Sequence, residues 1–217
     1  FFQALISNHD IRTALDCACG TGQHLYMLST LGLTVQGSDY SEAMLDAAEK
    51  NLSRLRVNIK LRQCDFRYLE TVFEEKFDLI LCLTTSLPHL HTDEDLITAL
   101  KSMRNRLSGH GILILTQGTT HRTLKLPAIE TVVNRPDFSR IFIKENDGKF
   151  LIIHILDLFH SDKRSESNQY DIKYRILLDG DYQRLLTKAG FSEVKIYGDY
   201  DRNHYTQDSY RLIVTAG

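Results

Sequence analysis

Two glycines stand close together near the beginning of the chain, beside a short apolar run. Gly20 and Gly22 follow the segment Thr13–Cys17, which contains Asp16. Glycine lets a chain turn sharply and lets a ligand approach its backbone, with the free amides of a following helix nearby. Leu25 occupies the position that a third glycine holds in a dinucleotide-binding fingerprint. The glycine pair alone therefore indicates only a tight turn between a strand and a helix.

Acidic residues also follow the next two apolar runs. Asp39 comes after residues 33–37, and an ionised carboxylate can accept hydrogen bonds from both hydroxyls of a ribose. Asp65 comes after residues 58–63 and is followed by Phe66. This pair suits an adenine, whose amine donates to a carboxylate and whose ring packs on apolar surface. The three acidic positions together predict a site for a nucleoside-like ligand.

The elements that position these residues alternate between apolar runs and stretches of helical periodicity. This order is typical of a parallel sheet with right-handed crossovers, whose ligands bind beyond the carboxyl ends of the strands. Ser41 is expected to cap one helix, and Thr92 with Asp95 another that Gly109 and Gly111 end. The first five strands are predicted over residues 13–17, 33–37, 58–63, 77–83 and 112–116.

The pattern changes in the second half of the chain. A helix over residues 179–189 is expected to end at Gly190. A polar loop is expected over residues 161–168. The remaining strands are predicted over residues 139–144, 150–159, 170–176, 191–197 and 209–215.

The predicted fold class is therefore α/β, with a mostly parallel sheet. We expect a single domain over residues 1–217. Within it, residues 137–178 are expected to form a small antiparallel β lid, inserted between the fifth and sixth strands of the sheet.

Composition narrows the possible partners. The 217 residues are 42% hydrophobic and 25% charged, with a net charge of −2, which is typical of a globular domain. Without a basic excess we do not expect a nucleic-acid partner, and no apolar run approaches the roughly 18–20 residues of a membrane span. We expect no metal site and no signal peptide. Four scattered cysteines predict reduced, buried thiols in a cytoplasmic protein: Cys17, Cys19, Cys64 and Cys82.

With these motifs in phase with the predicted strands, the chain resembles the class I S-adenosylmethionine-dependent methyltransferases. The resemblance covers residues 11–116 and extends to residues 189–214, which resemble the closing helix and antiparallel strand pair of this family. It implies a Rossmann-like, doubly wound, mostly parallel seven-stranded sheet whose last strand is antiparallel. The segments Leu15–Gly22 and Cys82–Leu90 look most like small-molecule methylases of the glycine/sarcosine N-methyltransferase kind. A lid between the fifth and sixth strands is also similar to those enzymes.

The resemblance implies S-adenosylmethionine as cofactor, S-adenosylhomocysteine as product, and a role for each of ten residues. These are Asp16, Ala18, Gly20 and Gly22 for the methionine part, Asp39 for the ribose, Tyr40, Met44, Asp65 and Phe66 for the adenine, and the carbonyl of Leu83 for the methionine amino group. For Tyr40 and Met44 a core position is an equal alternative, because an aromatic residue and a methionine at helical spacing usually pack inside.

His89 is the candidate catalytic residue, because it stands just after the fourth strand, where an acceptor is expected to arrive. An amine must be neutral to accept a methyl group, so a nearby base can help. The alternative is that His89 only shapes the pocket wall beside Pro88. The turn at residues 84–88 lacks the Asn/Asp-Pro-Pro-aromatic sequence of methylases that act on nucleic-acid or glutamine nitrogens. We therefore expect a small-molecule acceptor, methylated on nitrogen or oxygen.

Two other functions remain open. One is an NAD(P)-binding Rossmann oxidoreductase, although Leu25, the Asp65–Phe66 pair and the closing antiparallel strands argue against it. The other is a non-catalytic regulatory protein that binds S-adenosylmethionine without transferring its methyl group.

Overall fold

The computed structural model describes residues 1–161 and 166–217. In chain order, the elements of these residues are α1 (Phe2–His9), β1 (Thr13–Asp16), α2 (Gln23–Thr30), β2 (Thr34–Asp39), α3 (Glu42–Arg54), β3 (Lys60–Gln63), β4 (Phe77–Cys82), α4 (Asp93–Arg106), β5 (Leu107–Gln117), β6 (Ile129–Asn134), β7 (Phe138–Asn146), β8 (Phe150–Phe159), β9 (Glu166–Arg175), α5 (Asp179–Ala189), β10 (Val194–Tyr197) and β11 (Leu212–Ala216). Short 3-10 turns occur at Phe66–Thr71, Leu87–His89 and Thr123–Lys125. No helix in the described part of the chain is long and apolar enough to span a bilayer.

Three of the predicted helix ends are confirmed. The hydroxyl of Ser41 accepts a hydrogen bond from the amide of Met44 at 3.4 Å, which begins α3. The hydroxyl of Thr92 accepts one from the amide of Asp95 at 3.1 Å, which begins α4. Gly190 ends α5 with a left-handed φ of 95°, a backbone conformation that residues other than glycine rarely adopt. These caps fix where the helices start and stop relative to the strands.

Seven strands form the main sheet in the order β3-β2-β1-β4-β5-β11-β10. β1 pairs in parallel with β2 on one side and β4 on the other, so the strand order reverses there. β11 lies between β5 and β10 and runs antiparallel to both. The predicted fold class is confirmed, and the reversal point at β1 and β4 is where open α/β sheets bind their ligands.

Apolar residues cover both faces of this sheet. Leu15 of β1 is fully buried in a cluster with Leu96 of α4 and Leu185 of α5. Its neighbour Ala14 is fully buried in a second cluster with Leu25 of α2. Successive strand residues point to opposite faces, so helices lie on both sides of the sheet. This double layer holds the strand ends, and the residues just after them, in fixed relative positions.

A second, antiparallel sheet has the order β6-β7-β8-β9 and lies in the chain between β5 and α5. It begins at Ile129, before the expected start at residue 137. The difference is strand β6, which was not predicted. β9 begins at Glu166, so residues 166–168 lie in a strand and the prediction of a loop was wrong there. Residues 162–165 of the expected loop lie outside the described residues.

The prediction that Gly109 and Gly111 end α4 was also wrong. The helix ends at Arg106, and both glycines lie inside β5, which begins at Leu107. A Cβ atom on Gly111 would lie 2.8 Å from the carbonyl oxygen of Phe77, so only glycine allows β5 to pass β4 this closely. The pairing register of the two strands shifts at the same place. Gly111 is therefore needed for strand packing.

Candidate active site

The ends of three adjacent strands bring the predicted acidic residues to one edge of the main sheet. Asp16 ends β1, and Asp39 ends the neighbouring β2. Asp65 follows β3, which lies on the other side of β2 from β1. The strands are parallel, so their carboxyl ends meet at a common edge. The structure therefore places the three carboxylates where the sequence predicts a ligand.

Asp39 binds the turn that contains the two glycines, which we call the glycine loop (residues 17–22). One carboxylate oxygen of Asp39 accepts a hydrogen bond from the amide of Gly20 at 2.8 Å. The other accepts one from the amide of Ser41 at 2.9 Å. Gly20 and Gly22 have φ values of +51° and +85°, which strongly favour glycine. Asp39 thus joins the glycine loop to the start of α3.

Asp16 is buried beneath the glycine loop, with 1% of its surface exposed. Its Oδ1 accepts a hydrogen bond from the amide of Ala18 at 3.2 Å, but its Oδ2 has no hydrogen-bond partner among the described residues. Burial raises the pKa of Asp16 to about 7. Nδ1 of His24 lies 4.0 Å from this oxygen, and burial lowers the pKa of His24, which favours its neutral form. Asp16 therefore holds a buried acceptor ready for a donor or a positive charge.

Asp65 is held by Arg67, which the sequence analysis did not single out. The guanidinium contacts both carboxylate oxygens, with Nη2 of Arg67 2.7 Å from Oδ2 of Asp65. Burial acts to raise the pKa of Asp65, but the hydrogen bonds and charge of Arg67 outweigh it and lower that pKa. Arg67 also bonds Oδ1 of Asp95 at 2.7 Å, which fixes Asp65 relative to α4. The neighbouring Phe66 is partly buried against the core.

Tyr40 and Met44 lie beside Asp39 at the start of α3, and they are not core residues. Tyr40 is 74% exposed and Met44 is 46% exposed. Gln63 fixes the backbone at this point, because its side-chain amide donates to the carbonyl of Tyr40 at 3.1 Å. The two side chains therefore offer exposed apolar surface at the same edge as the carboxylates.

The chain adopts an unusual backbone directly after β4. Thr84 and Thr85 have φ values of +55° and +70°, a left-handed conformation that β-branched residues rarely adopt. Thr116 on β5 holds both, because its side-chain and main-chain oxygens accept from their amides at 3.0 and 2.9 Å. The preceding Leu83 is buried, and its carbonyl accepts from the hydroxyl of Ser86 at 2.7 Å. No residue type in this segment signals the conformation, so the sequence analysis missed it.

His89 lies in the 3-10 turn after this segment and contacts the second sheet. Its ring centroid is 4.8 Å from that of Tyr174 on β9, in an edge-to-face arrangement. Burial of part of the ring lowers the pKa of His89, and the nearby His91 lowers it further. Burial raises the pKa of the Tyr174 phenol, which therefore stays protonated at neutral pH. A neutral imidazole thus sits between the end of β4 and the second sheet.

A cavity of about 770 Å³, here called the inter-sheet cavity, opens between the two sheets near this histidine. Thr85 lines it from the turn after β4, and Tyr174 and Ile153 line it from the second sheet. Three polar residues in or just after β8 do not line it and have partners of their own. His154 bonds Asp171 at 2.8 Å, Asp157 bonds Arg140 at 2.7 Å and His160 bonds Ser139 at 3.0 Å.

The chain is similar to known methyltransferases. Residues 14–111 match a methyltransferase domain. Over 97% of its length, the chain is 27% identical to a glycine/sarcosine N-methyltransferase of Parasynechococcus marenigrum, 73% of which is covered. It is also 27% identical, over 96% of its length, to an enzyme of the same name from Aphanothece halophytica, 77% of which is covered.

Solved structures share the whole fold. A S-adenosylmethionine-dependent methyltransferase from Clostridium acetobutylicum aligns with a TM-score of 0.88 and 17% identity, covering 99% of this chain and 88% of that protein. An amino pentose methyltransferase from Micromonospora echinaspora aligns with a TM-score of 0.80 and 20% identity, with the same two coverages. The chain is thus similar to methyltransferases in the matched domain and over nearly its whole length, and it shares its fold with solved S-adenosylmethionine-dependent methyltransferases.

Proposed function

We propose that this protein transfers the methyl group of S-adenosylmethionine to a nitrogen of a small-molecule acceptor by in-line displacement. The observation that carries the proposal is the set of three carboxylates, Asp16, Asp39 and Asp65, at one sheet edge beside the glycine loop. Nitrogen is favoured over oxygen because two relatives aligned over nearly the whole chain are named N-methyltransferases. The cofactor, when bound, supplies an electrophilic methyl group on a sulfonium.

The residues around the glycine loop fit the methionine and ribose parts of that cofactor. The unpartnered Oδ2 of Asp16 is a buried acceptor suited to a cationic or donor group, with Ala18, Gly20 and Gly22 beside it. Each oxygen of Asp39 accepts one backbone hydrogen bond, and a carboxylate has further lone pairs for the ribose hydroxyls. The charges and hydrogen-bonding groups present thus match those of the cofactor.

The neighbouring residues fit the adenine. The exposed apolar surfaces of Tyr40 and Met44 would cover one side of the ring, and Phe66 its edge and other face. Asp65 is paired with Arg67, so the adenine amine would use a lone pair that the guanidinium leaves free. The carbonyl of Leu83, which already accepts from Ser86, would take a second donor from the methionine amino group.

His89 is proposed as the base that prepares the acceptor. A lowered pKa leaves its imidazole neutral near pH 7, able to take a proton from the nitrogen of a protonated amine. The amine then has a free lone pair for bond formation, and the exposed side of His89 returns the proton to water. Alignment of the acceptor and exclusion of water supply the rest of the catalysis.

We also propose that the chain acts as one domain over residues 1–217, with the segment 137–178 as a lid over the acceptor. This is supported by the contact between Tyr174 and His89, which joins the second sheet to the end of β4. A cytoplasmic location is part of the proposal, because all four cysteines are buried as free thiols.

Titration and isotope transfer test this function. Calorimetry should detect binding of S-adenosylhomocysteine and no binding of NADH at the same concentration. Incubation with methyl-labelled S-adenosylmethionine and a panel of amines and alcohols should label an amine and release S-adenosylhomocysteine. Binding of NADH alone would favour an oxidoreductase, and cofactor binding without transfer to any metabolite would favour a regulatory protein.

A further inference from the structure

The inter-sheet cavity has two walls of different origin. Thr85 lies in the turn just after β4, at the edge of the main sheet. Phe142, Leu151 and Ile153 belong to β7 and β8 of the second sheet. Leu151 and Ile153 stand two positions apart on β8, and Phe142 pairs with Ile155, so these side chains share the face turned toward the main sheet. The cavity therefore exists only where the two sheets meet.

The size of the cavity does not match a single amino acid. Its volume is about 770 Å³, within the range of about 300–1,000 Å³ that holds drug-sized ligands. Aliphatic and aromatic side chains form most of the second-sheet wall, including Phe142, Leu151 and Ile153. A ligand that fills this space would bring a sizeable apolar body into contact with them.

The charged side chains that line the cavity limit which charged groups its ligand can have. Among the described lining residues, three are charged, and two of these, Glu130 and Lys144, form an ion pair with each other. The third is Arg211, which is exposed and makes neither a hydrogen bond nor an ion pair with any described residue. The cavity thus offers a guanidinium that contacts only the Tyr200 ring, at 5.8 Å, among the described residues, and it offers no unpaired carboxylate. An anionic group is favoured at Arg211, and a second ammonium group is not.

One end of the cavity adjoins the proposed base. Tyr174 lines the cavity and also packs against His89, and Thr85 lines it from the strained segment after β4. A ligand in the cavity would therefore present one end beside the neutral imidazole. The phenol of Tyr174 stays protonated and can donate a hydrogen bond there.

We propose that the inter-sheet cavity binds the methyl acceptor, and that this acceptor is an amine on a largely apolar body much larger than an amino acid, with an anionic group bound by Arg211. The inference rests on the proposed function and deepens it by naming the substrate class. It also departs from the acceptors in the names of the glycine/sarcosine N-methyltransferase relatives.

Defined probes test the class of acceptor. Calorimetric titrations, with and without saturating S-adenosylhomocysteine, compare 12-aminododecanoate, dodecylamine, spermidine, glycine and sarcosine. We expect 12-aminododecanoate to bind most tightly, about tenfold better than dodecylamine, because a charge-assisted bond to Arg211 contributes roughly that factor. Transfer assays with labelled S-adenosylmethionine should follow the same order in kcat/KM.

Matched variants test the location. Ile153→Trp fills the cavity and should weaken binding of 12-aminododecanoate at least tenfold, whereas Ile152→Trp on the opposite face of β8 should not. Arg211→Gln should remove the advantage of the carboxylate probe over dodecylamine. Arg54→Gln, on α3 and outside the cavity, should preserve it.

Several outcomes would overturn the inference. These are tighter binding or faster methylation of glycine, sarcosine or spermidine, and equal effects of Ile153→Trp and Ile152→Trp. Failure of S-adenosylhomocysteine to bind would instead contradict the proposed function. The probe titrations without that ligand would still decide whether the cavity binds this class of amine.

Discussion

The carboxylate of Asp39 accepts a hydrogen bond from the amide of Gly20 at 2.8 Å, so the group proposed to bind the ribose also positions the glycine loop. A ligand held by Asp39 therefore contacts a surface that Asp39 itself arranges. Loss of this one side chain should disturb two parts of the cofactor site together.

We predict that Asp39→Ala weakens binding of S-adenosylhomocysteine by roughly 2–4 kcal/mol, because charge-assisted hydrogen bonds and the ordered loop are both lost. Isothermal titration measures the change. Asp46→Ala removes an exposed carboxylate from the neighbouring helix α3 and should leave the affinity within experimental error. Equal affinity of the Asp39 variant and wild type would remove the ribose assignment.

Asp16 should make stability depend on pH in an unusual direction. Its pKa is raised to about 7 in the folded protein, from an ordinary value of 3.8, so the folded state binds more protons than the unfolded state between these values. Stability should therefore fall as pH rises from about 4 to about 7. Asp16→Asn should abolish this contribution and stabilise the protein at pH 8 by up to roughly 4 kcal/mol.

Urea unfolding at pH 5, 6, 7 and 8 measures the free energy of unfolding of Asp16→Asn and of the wild type. Groups that titrate alike in both proteins cancel in the difference between the two free energies. The same variant should bind S-adenosylhomocysteine more weakly, since the buried negative charge is gone. A difference in unfolding free energy that does not change with pH would contradict the raised pKa.

His89→Gln should lower kcat by about 100-fold, the lower end of the range for loss of a general base. Binding of S-adenosylhomocysteine should not change. Because the pKa of His89 is below its ordinary 6.5, wild-type kcat/KM should decline only below that pH, and the variant should lose this acidic limb. His110→Gln alters an exposed histidine of β5 and serves as the control. If the variant keeps the wild-type pH profile, His89 only shapes the pocket wall.

The strained backbone after β4 predicts a conflict between stability and activity. Thr84→Gly should stabilise the fold by about 1 kcal/mol, because glycine accepts its φ of +55° without steric cost. It should also reduce kcat, since the segment beside the acceptor becomes mobile. Arg56→Gly relieves similar backbone strain, at a φ of +57°, far from the site. It should stabilise the fold without changing kcat. Chemical denaturation and steady-state kinetics distinguish the two variants.

The sheet and its acidic edge were predictable because hydrophobic periodicity places the ends of strands. Asp39 and Asp65 stand in phase with that pattern, so their meeting at one edge followed from parallel topology. The caps at Ser41 and Thr92 were predictable because hydroxyl residues satisfy free amides at helix starts. These features depend on local sequence alone.

Other features depend on contacts between distant residues. Arg67 reaches Asp95 across 28 positions of sequence, and Thr116 holds Thr84 across 32 positions. Gly111 looks like a helix terminator until the carbonyl of Phe77 is seen beside it. β6 was missed because nearly all of its residues are exposed at the edge of the second sheet, so burial leaves no clear alternation in its sequence.

The position of β11 between β5 and β10 sets an order of events during synthesis. One side of β5 has no hydrogen-bonding partner until residues 212–216 have left the ribosome, about a hundred residues after β5 itself. In that interval the nascent chain exposes a long apolar strand that can pair with other chains. We expect chaperone contact with the growing polypeptide to concentrate on this edge.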